Sequence, residues 1–184
     1  HDLGKVYYRM GKFLDAEEYY AKALQIFEKH FRGVHPNVAA CLHSLGYLKT
    51  TLGQYQQAEQ LYERSLDIMT QLIGPKHVEV AQSRNNLAWI YFRQGKYQKA
   101  QQLYNQSLKI REQALGKHHP DVARSLHELA ELYQRLGKYD TAESYNLRAL
   151  DIRQKAFGDK HPDVARSLSN LSILYYSQGK FQEA

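Results

Sequence analysis

The chain has 184 residues, of which 43% are hydrophobic and 24% charged, a balance typical of a folded chain and not of a disordered one. No apolar run approaches the roughly 20 residues that cross a bilayer, so no membrane partner is expected. The formal net charge of +6 favours acidic partners in a general way, without naming nucleic acid. Cys41 is the single cysteine, which excludes a disulfide within the chain and favours a reducing, cytoplasmic location.

A glycine recurs every 42 residues along the chain, and other residues keep step with it. An aromatic residue stands two places after each glycine, and an alanine three places after the aromatic residue. The glycines are Gly11, Gly53, Gly95, Gly137 and Gly179, the aromatic residues Phe13, Tyr55, Tyr97, Tyr139 and Phe181, and the alanines Ala16, Ala58, Ala100, Ala142 and Ala184. A fixed period of this size is the signature of stacked supersecondary units. The sequence therefore predicts a repeat protein.

A histidine marks the segment that connects one copy to the next, as His35, His77, His119 and His161. Division at these histidines gives five copies: a partial one at 1–34, full ones at 35–76, 77–118 and 119–160, and a partial one at 161–184. We expect the copies to form a single array over residues 1–184. The incomplete first and last copies suggest a segment of a longer protein.

Each full copy carries two helical patterns, which we call helix A and helix B. Helix A is predicted to begin at His-Pro, because Pro120 suits the first helical position and Asp121 faces free backbone N–H groups in the first turn. In the third copy Val78 and Glu79 replace this pair, which weakens the start signal. In the fourth copy the predicted buried stripe of helix A is Val122, Leu126, Leu129, Ala130 and Tyr133.

Glycines punctuate the helices of each copy. Gly137 is predicted to end helix A in a left-handed cap, and helix B to run from about Tyr139 to Gly158. The apolar face of this helix B is Ala142, Tyr145, Ala149, Leu150 and Ile152. In the first copy the corresponding Gly33 falls one residue late. Helices joined by so few residues pack antiparallel, so an all-α solenoid of antiparallel helix pairs is expected.

One position in the middle of helix A is always small, and we call it the small position: Gly46, Ala88, Ala130 and Ser172. This pattern resembles the tetratricopeptide repeat, in which a tyrosine follows the small residue three places later, before the glycine, the aromatic residue and the alanine. The third copy matches with Leu87, Ala88, Tyr91, Gly95, Tyr97 and Ala100, and the fourth with Leu129, Ala130, Tyr133, Gly137, Tyr139 and Ala142. The 42-residue period, with Leu-Gly-x-x-His-Pro-Asp-Val-Ala at 115–123, is similar to the kinesin light chain variety.

The resemblance implies a right-handed superhelical array that acts as a protein-binding scaffold without catalysis. It also implies that helix A lines a concave groove for a peptide. Members that clamp a peptide often use an asparagine two places before the small position, where Asn86 and Asn170 stand. Ser44 and Glu128 occupy that place in other copies, so any such clamp is incomplete.

Helix A positions outside the buried stripe are predicted to face the groove or solvent. Basic residues outnumber acidic ones at these positions by six to three, and large rings such as Tyr47 and Tyr176 stand where helix pairing does not need them. This surface suits a peptide with an aromatic or apolar anchor flanked by carboxylates. The candidate peptide-binding residues are Asn85, Asn86, Trp89, Phe92, Arg93, Arg124, His127, Arg135, Arg166 and Asn170. The alternatives are that Trp89 packs against a neighbouring copy and that each arginine is simply solvated.

No enzyme, metal site or cofactor is predicted. Four of the nine histidines belong to the repeating helix start, and His118 has no partner at metal-ligand spacing. The sequence contains no glycine-rich phosphate loop, paired carboxylates or Gly-x-Ser-x-Gly elbow.

Three further functions compete with peptide binding. The array could be structural and self-associate through uncapped ends, or it could be a regulatory module of a larger multidomain protein. Nucleic-acid binding is disfavoured, because the arginines alternate with acids and base-reading repeats have a different period.

Overall fold

The computed structural model describes residues 1–180, and every regular element in that range is an α-helix. The helices are α1 (Asp2–Arg9), α2 (Phe13–Phe31), α3 (Pro36–Thr51), α4 (Tyr55–Ile73), α5 (Val78–Arg93), α6 (Tyr97–Leu115), α7 (Pro120–Arg135), α8 (Tyr139–Phe157) and α9 (Pro162–Ser177). The odd-numbered helices are the predicted A helices and the even-numbered ones the B helices. The predicted all-α helical repeat array is confirmed. Phe181 and Ala184, which complete the fifth repeat signature, lie outside the described residues.

The chain divides into two compact units. Unit 1 covers His1–Lys96 and holds α1 to α5, in which each helix packs against the next one along the chain. Unit 2 begins at Tyr97 and holds α6 to α9, packed in the same sequential manner. The largest helix contacts join helix A to helix B of the same copy, α3 to α4 in unit 1 and α7 to α8 in unit 2.

The recurring histidine caps the N-terminus of helix A. The backbone N–H of Asp121 donates to Nδ1 of His119 at 3.1 Å, and His35, His77 and His161 accept in the same way. The first N–H groups of a helix have no partner inside it, so this acceptor stabilises the start. Pro120 holds the first helical position, as predicted. The cap at His77 explains why α5 begins at Val78 without a proline.

Gly137 ends helix A in a left-handed conformation, with φ +71°. The N–H of Lys138 donates to the carbonyl oxygen of Tyr133 at 2.9 Å, and the N–H of Gly137 to that of Gln134 at 3.0 Å. This pair of bonds satisfies carbonyls that the helix leaves open, and glycine adopts the required positive φ without steric cost. The predicted glycine cap is confirmed.

The late glycine of the first copy leaves an arginine in a left-handed conformation. Arg32 follows the last residue of α2 and has φ 54° and ψ 30°. Among the described residues it is the one with a positive φ that is not glycine. Left-handed backbone costs such a residue about 1–2 kcal/mol, so the one-residue offset stores local strain.

Small residues bring helix A and helix B close together. A Cβ atom added to Gly46 would lie 3.2 Å from the ring of Tyr62 on α4, so the two helices are already in contact there. In unit 2, Ala130, Ala142 and Leu174 form a buried cluster, with the rings of Tyr133, Tyr139 and Tyr145 packed against its edge. A small residue at this position is therefore what allows helix A to lie close to helix B.

The buried face of helix A is wider than the predicted stripe. Val122, Leu126, Leu129 and Ala130 are fully buried, as expected, and Tyr133 is half-buried. Leu132 is also fully buried, although the stripe does not include it. Because α7 packs against both α6 and α8, it needs an apolar surface on two sides.

The predicted apolar face of helix B contains two polar exceptions. Ala142, Ala149 and Ile152 are buried, and Tyr145 and Leu150 are half-buried. Asn146 and Arg153 are buried on the same helix, which the apolar pattern did not predict.

Cys41 is fully buried, and burial raises the pKa of its thiol. Cys41 therefore packs as a small core residue and is not a nucleophile, because a nucleophilic thiol needs access and a lowered pKa. A separate finding concerns membranes: none of the helices within residues 1–180 is both long enough and apolar enough to span one.

Candidate functional site

Successive A helices within a unit lie side by side, joined by pairs of polar side chains. In unit 1, Nδ2 of Asn86 lies 2.7 Å from Nε2 of His43, and in unit 2, Nδ2 of Asn170 lies 3.0 Å from Nδ1 of His127. Each pair joins residues 43 positions apart, one helix A to the next. We call these contacts the histidine–asparagine pairs. In each pair the histidine stands three places before the small position of one helix A, and the asparagine stands two places before the small position of the next helix A.

A second row of polar contacts runs parallel to the first. The hydroxyl groups of Tyr8 and Thr51 are 2.8 Å apart in unit 1, and in unit 2 Nε2 of Gln134 donates to Oγ of Ser177 at 3.3 Å. In each contact the first residue stands four places after the small position of its helix A, and the second stands five places after the small position of the next helix A. The 3.6-residue period of the helix puts the position just after the small one between the two rows. We call the helix A surface between the two rows the open face.

Unit 1 carries aromatic rings on its open face. Tyr47 is 52% exposed, and its ring centroid lies 5.3 Å from that of Tyr8. Trp89 is half-buried and meets the ring of Tyr55 edge to face, with centroids 6.2 Å apart. The guanidinium of Arg93 lies 5.0 Å from the Trp89 ring and 5.4 Å from the Tyr55 ring. One part of the Trp89 side chain therefore packs against a neighbouring copy, and the other part remains exposed to solvent.

Asn86 is already hydrogen-bonded at both ends of its amide. Its Oδ1 accepts from Nε2 of Gln82 at 2.9 Å, while its Nδ2 contacts His43. A primary amide has two N–H donors and two acceptor lone pairs, so one of each remains beyond these two bonds. The two neighbours hold the amide in a fixed orientation, which suits a residue that binds a peptide backbone.

Asn85 differs from its prediction. Its side chain was expected on the surface with Asn86, but the residue is 4% exposed. Asn85 stands three places before the small position, as His43 and His127 do in their copies. Those two histidines are half-buried, because this position faces the adjacent helices and not solvent. Asn85 therefore belongs to the interior. Phe92 is half-buried.

The arginines of unit 2 are partly neutralised by acids on their own helices. Arg124 lies 3.2 Å from a carboxylate oxygen of Asp121, and Arg166 lies 3.1 Å from one of Asp163. Both arginines remain more than half exposed. Arg135 is exposed in the last turn of α7. Unit 2 therefore presents these three predicted arginines at its surface.

His127 is held as a neutral ring among polar neighbours. Its pKa is lowered by burial first and then by the positive charges of Arg153 and Arg166, whereas a hydrogen bond that the imidazole donates to Asn146 raises it. The pKa of His43 in unit 1 is also lowered, by burial. A neutral imidazole has one nitrogen that accepts a hydrogen bond, which matches the contact with Asn170.

Two buried arginines on the B helices escaped the sequence analysis. Arg111 and Arg153 are 1% and 6% exposed, and each donates from Nη1 to a serine of the following helix A, Ser125 at 2.6 Å and Ser167 at 2.5 Å. The same position in the first two copies holds Phe27 and Met69. The sequence does show this change, because one position of the repeat is apolar in the first two copies and arginine in the next two.

No group of histidine, cysteine or acidic side chains that could hold a metal ion occurs in the described part of the chain. Stacked helix pairs with an open helix A face define the chain as a helical-repeat protein.

Four overlapping stretches, residues 1–71, 45–113, 90–153 and 121–184, match the family model for the tetratricopeptide repeat. The chain belongs to the tetratricopeptide repeat family and is of the kinesin light chain-like type.

Solved structures agree with this assignment. The crystal structure of BtubC (BKLC) from P. vanneervenii is 29% identical with a TM-score of 0.86, over 99% of this chain and 72% of that one. A putative kinesin light chain from Podosopora anserina with nearly identical TPR-like repeats is 30% identical with a TM-score of 0.85, over 100% of this chain and 87% of that one. The apo form of RapI, 20% identical with a TM-score of 0.79 over 97% of this chain and 62% of that one, shares the fold alone. The comparison with curated proteins gave no match.

Proposed function

We propose that the chain is a non-catalytic scaffold that binds a peptide segment of a partner protein on the open faces of its A helices. The observation that carries this proposal is that unit 1 presents an oriented, half-buried amide at Asn86, an exposed ring at Tyr47 and the Trp89–Arg93 pair on its A helices. A fixed amide can pair with a peptide backbone, and rigid aromatic rings supply contact area at low entropic cost. We also propose that residues 1–184 form one continuous array.

The partner segment is proposed to be acidic, with an aromatic or apolar anchor. Exposed rings on unit 1 supply the apolar contact, and the exposed guanidinium groups of Arg93 and Arg135 can each hold a carboxylate by two parallel hydrogen bonds. The likeness to kinesin light chain-like repeat structures supports a protein or peptide partner, because tetratricopeptide repeats mediate protein–protein interactions.

A peptide-array screen tests this function. Acidic peptides of about 10–15 residues with one aromatic residue would be probed with the wild-type chain and with Asn86→Ala/Arg124→Ala. Binding by the wild-type chain that the double variant loses supports the proposal. Equal binding by both places the ligand elsewhere, and no binding at all favours a structural role.

One observation favours self-association as a second candidate function. Large apolar side chains are exposed from α1 to the start of α2, where Leu3 is 57%, Val6 51%, Met10 59% and Leu14 84% exposed. An exposed apolar patch rimmed by polar residues is typical of an interaction site. Sedimentation over a range of concentrations compares the wild-type chain with Leu14→Gln. An association that the variant loses supports this candidate, and a monomer at every concentration contradicts it.

A further inference from the structure

Three half-buried polar side chains of unit 1 are hydrogen-bonded in series, and we call them the polar triplet. Nε2 of Gln82 donates to Oδ1 of Asn86 at 2.9 Å, and Nδ2 of Asn86 lies 2.7 Å from Nε2 of His43 on the preceding helix A. Each donor in the series points toward the histidine. The state of the imidazole therefore decides which way the amides can point.

His43 is the member of the triplet that can change its role. A neutral imidazole has one nitrogen that accepts, whereas both nitrogens of the imidazolium donate. In the protonated state two donors, Nε2 of His43 and Nδ2 of Asn86, would face each other. A half turn of the Asn86 amide about its last side-chain bond removes this conflict, because it presents Oδ1 to the imidazolium. Nδ2 then faces Gln82, whose primary amide also carries an acceptor oxygen.

The groups around His43 stay uncharged over the range in which a histidine titrates, apart from one further histidine. Tyr62 of α4 meets the ring with centroids 5.3 Å apart, and its pKa is raised to about 12, mainly by burial. Burial also raises the pKa of Tyr20 on α2, and that side chain bonds to Ser44, the residue after His43. His1 reaches the same serine from the side of α1, at 3.0 Å. Burial lowers the pKa of His43, so its proton binds on the acid side of about 6.5.

We infer that the polar triplet is a pH switch for peptide binding at the edge of the open face of unit 1. While His43 is neutral, Asn86 keeps the orientation described above. When His43 gains a proton the amide turns, and its donor and acceptor exchange places. A peptide backbone that pairs with one arrangement then meets donor against donor and acceptor against acceptor. The inference rests on the proposed function, since it regulates the residue proposed to bind the peptide backbone, and His43 acts in it as a positioning residue.

Unit 2 contains the same kind of pair in different surroundings. Nδ2 of Asn170 lies 3.0 Å from Nδ1 of His127, so a proton on that nitrogen calls for the same turn of the amide. Arg153 and Arg166 oppose this proton, and the hydrogen bond to Asn146 favours it. Each asparagine should therefore follow the titration of its own histidine.

The first experiment needs no peptide. NMR follows the side-chain amide signals of Asn86 and Asn170 and the ring signals of His43 and His127 in the full chain, from about pH 8 to about pH 5. We expect the Asn86 signals to shift with the midpoint of His43. In His43→Gln this shift should vanish, while Asn170 still follows His127 as the internal control.

Two results of this titration would overturn the inference. One is a set of Asn86 signals that stays in place while His43 titrates, and the other is a His43 ring that remains neutral throughout the range. Both are read in the wild-type chain, so the test holds even if His43→Gln does not fold.

The second experiment measures the affinity of one array peptide at about pH 7.5 and about pH 5.5 for the wild-type chain and His43→Gln. The carboxylates of the peptide titrate equally in both comparisons. We expect the wild-type affinity to fall by about tenfold more than that of the variant, because an amide turned the wrong way leaves hydrogen bonds unmade. His118→Gln, on an exposed loop residue, should fall as the wild type does.

The outcomes separate the switch from the binding that it regulates. Equal falls in the wild-type chain and His43→Gln overturn the switch, while the binding itself upholds the proposed function. Binding of no peptide at either pH contradicts the proposed function, and the NMR midpoints keep that failure distinct from a failure of the polar triplet to turn.

Discussion

The Asn86 amide nitrogen lies 2.7 Å from Nε2 of His43 on the preceding helix A, 43 positions earlier in the chain. An amide nitrogen only donates, so Nε2 must accept and the imidazole must be neutral. Burial lowers the pKa of His43, which agrees with that protonation state. The pair therefore couples the orientation of a candidate binding residue to the protonation of a half-buried histidine.

The pH dependence of stability should reflect this coupling. Because the folded-state pKa of His43 lies below its unfolded value, the pair stabilises the fold above the unfolded pKa, and this stability is lost as the pH falls through the folded pKa. His43→Gln removes the titrating group, so its urea unfolding free energy should fall less than that of the wild-type chain between about pH 7.5 and about pH 5. His118→Gln, on an exposed loop residue, is the control and should behave as wild type. An identical fall in His43→Gln and wild type would contradict the coupling.

Replacement of a capping histidine should weaken one helix start. His119→Ala removes the acceptor for the Asp121 N–H and should cost about 1 kcal/mol of unfolding free energy, whereas His119→Ser should retain most of the stability because serine is a good N-cap. Urea denaturation of the three chains measures both differences. Equal losses in both variants would show that the imidazole stabilises this segment by something other than capping.

Helix capping illustrates what the sequence could predict. The start of helix A at Pro120 and the glycine caps could be predicted, because they depend on local backbone chemistry that recurs in every copy. The histidine–asparagine pairs were not, since each joins different positions of two successive copies and the period aligns only identical ones. Arg153 was missed because a charged residue on a helix is ordinarily assigned to the surface. Asn85 was misplaced because one buried stripe cannot describe a helix packed on several sides.

Relief of the left-handed strain at Arg32 should stabilise unit 1. Arg32→Gly removes a steric cost of about 1–2 kcal/mol but gives the unfolded chain more freedom, so a net gain of about 0.5–1 kcal/mol is expected. Arg32→Ala is the matched control, because it removes the same charge and keeps the Cβ atom. Thermal unfolding compares them. A gain in the alanine variant equal to that in the glycine variant would attribute the effect to charge.

Overpacking the contact between α7 and α8 should destabilise unit 2. Ala142 is fully buried beside Ala130 and Leu174, so Ala142→Phe should cost about 1–3 kcal/mol and lower the melting temperature. Thr141→Phe places the same ring at the exposed neighbouring position and should leave the melting temperature nearly unchanged. An unchanged melting temperature for Ala142→Phe would refute close packing at this site.

Photo-crosslinking tests the central claim, peptide binding on the open faces of the A helices, most directly. A peptide selected on the array carries a photoreactive phenylalanine analogue at its aromatic anchor, and mass spectrometry identifies the residue that it labels. We predict labelling on helix A beside Tyr47 or Trp89, abolished by excess unlabelled peptide. Labelling confined to exposed positions of the B helices, such as Leu147 on α8, would contradict the account.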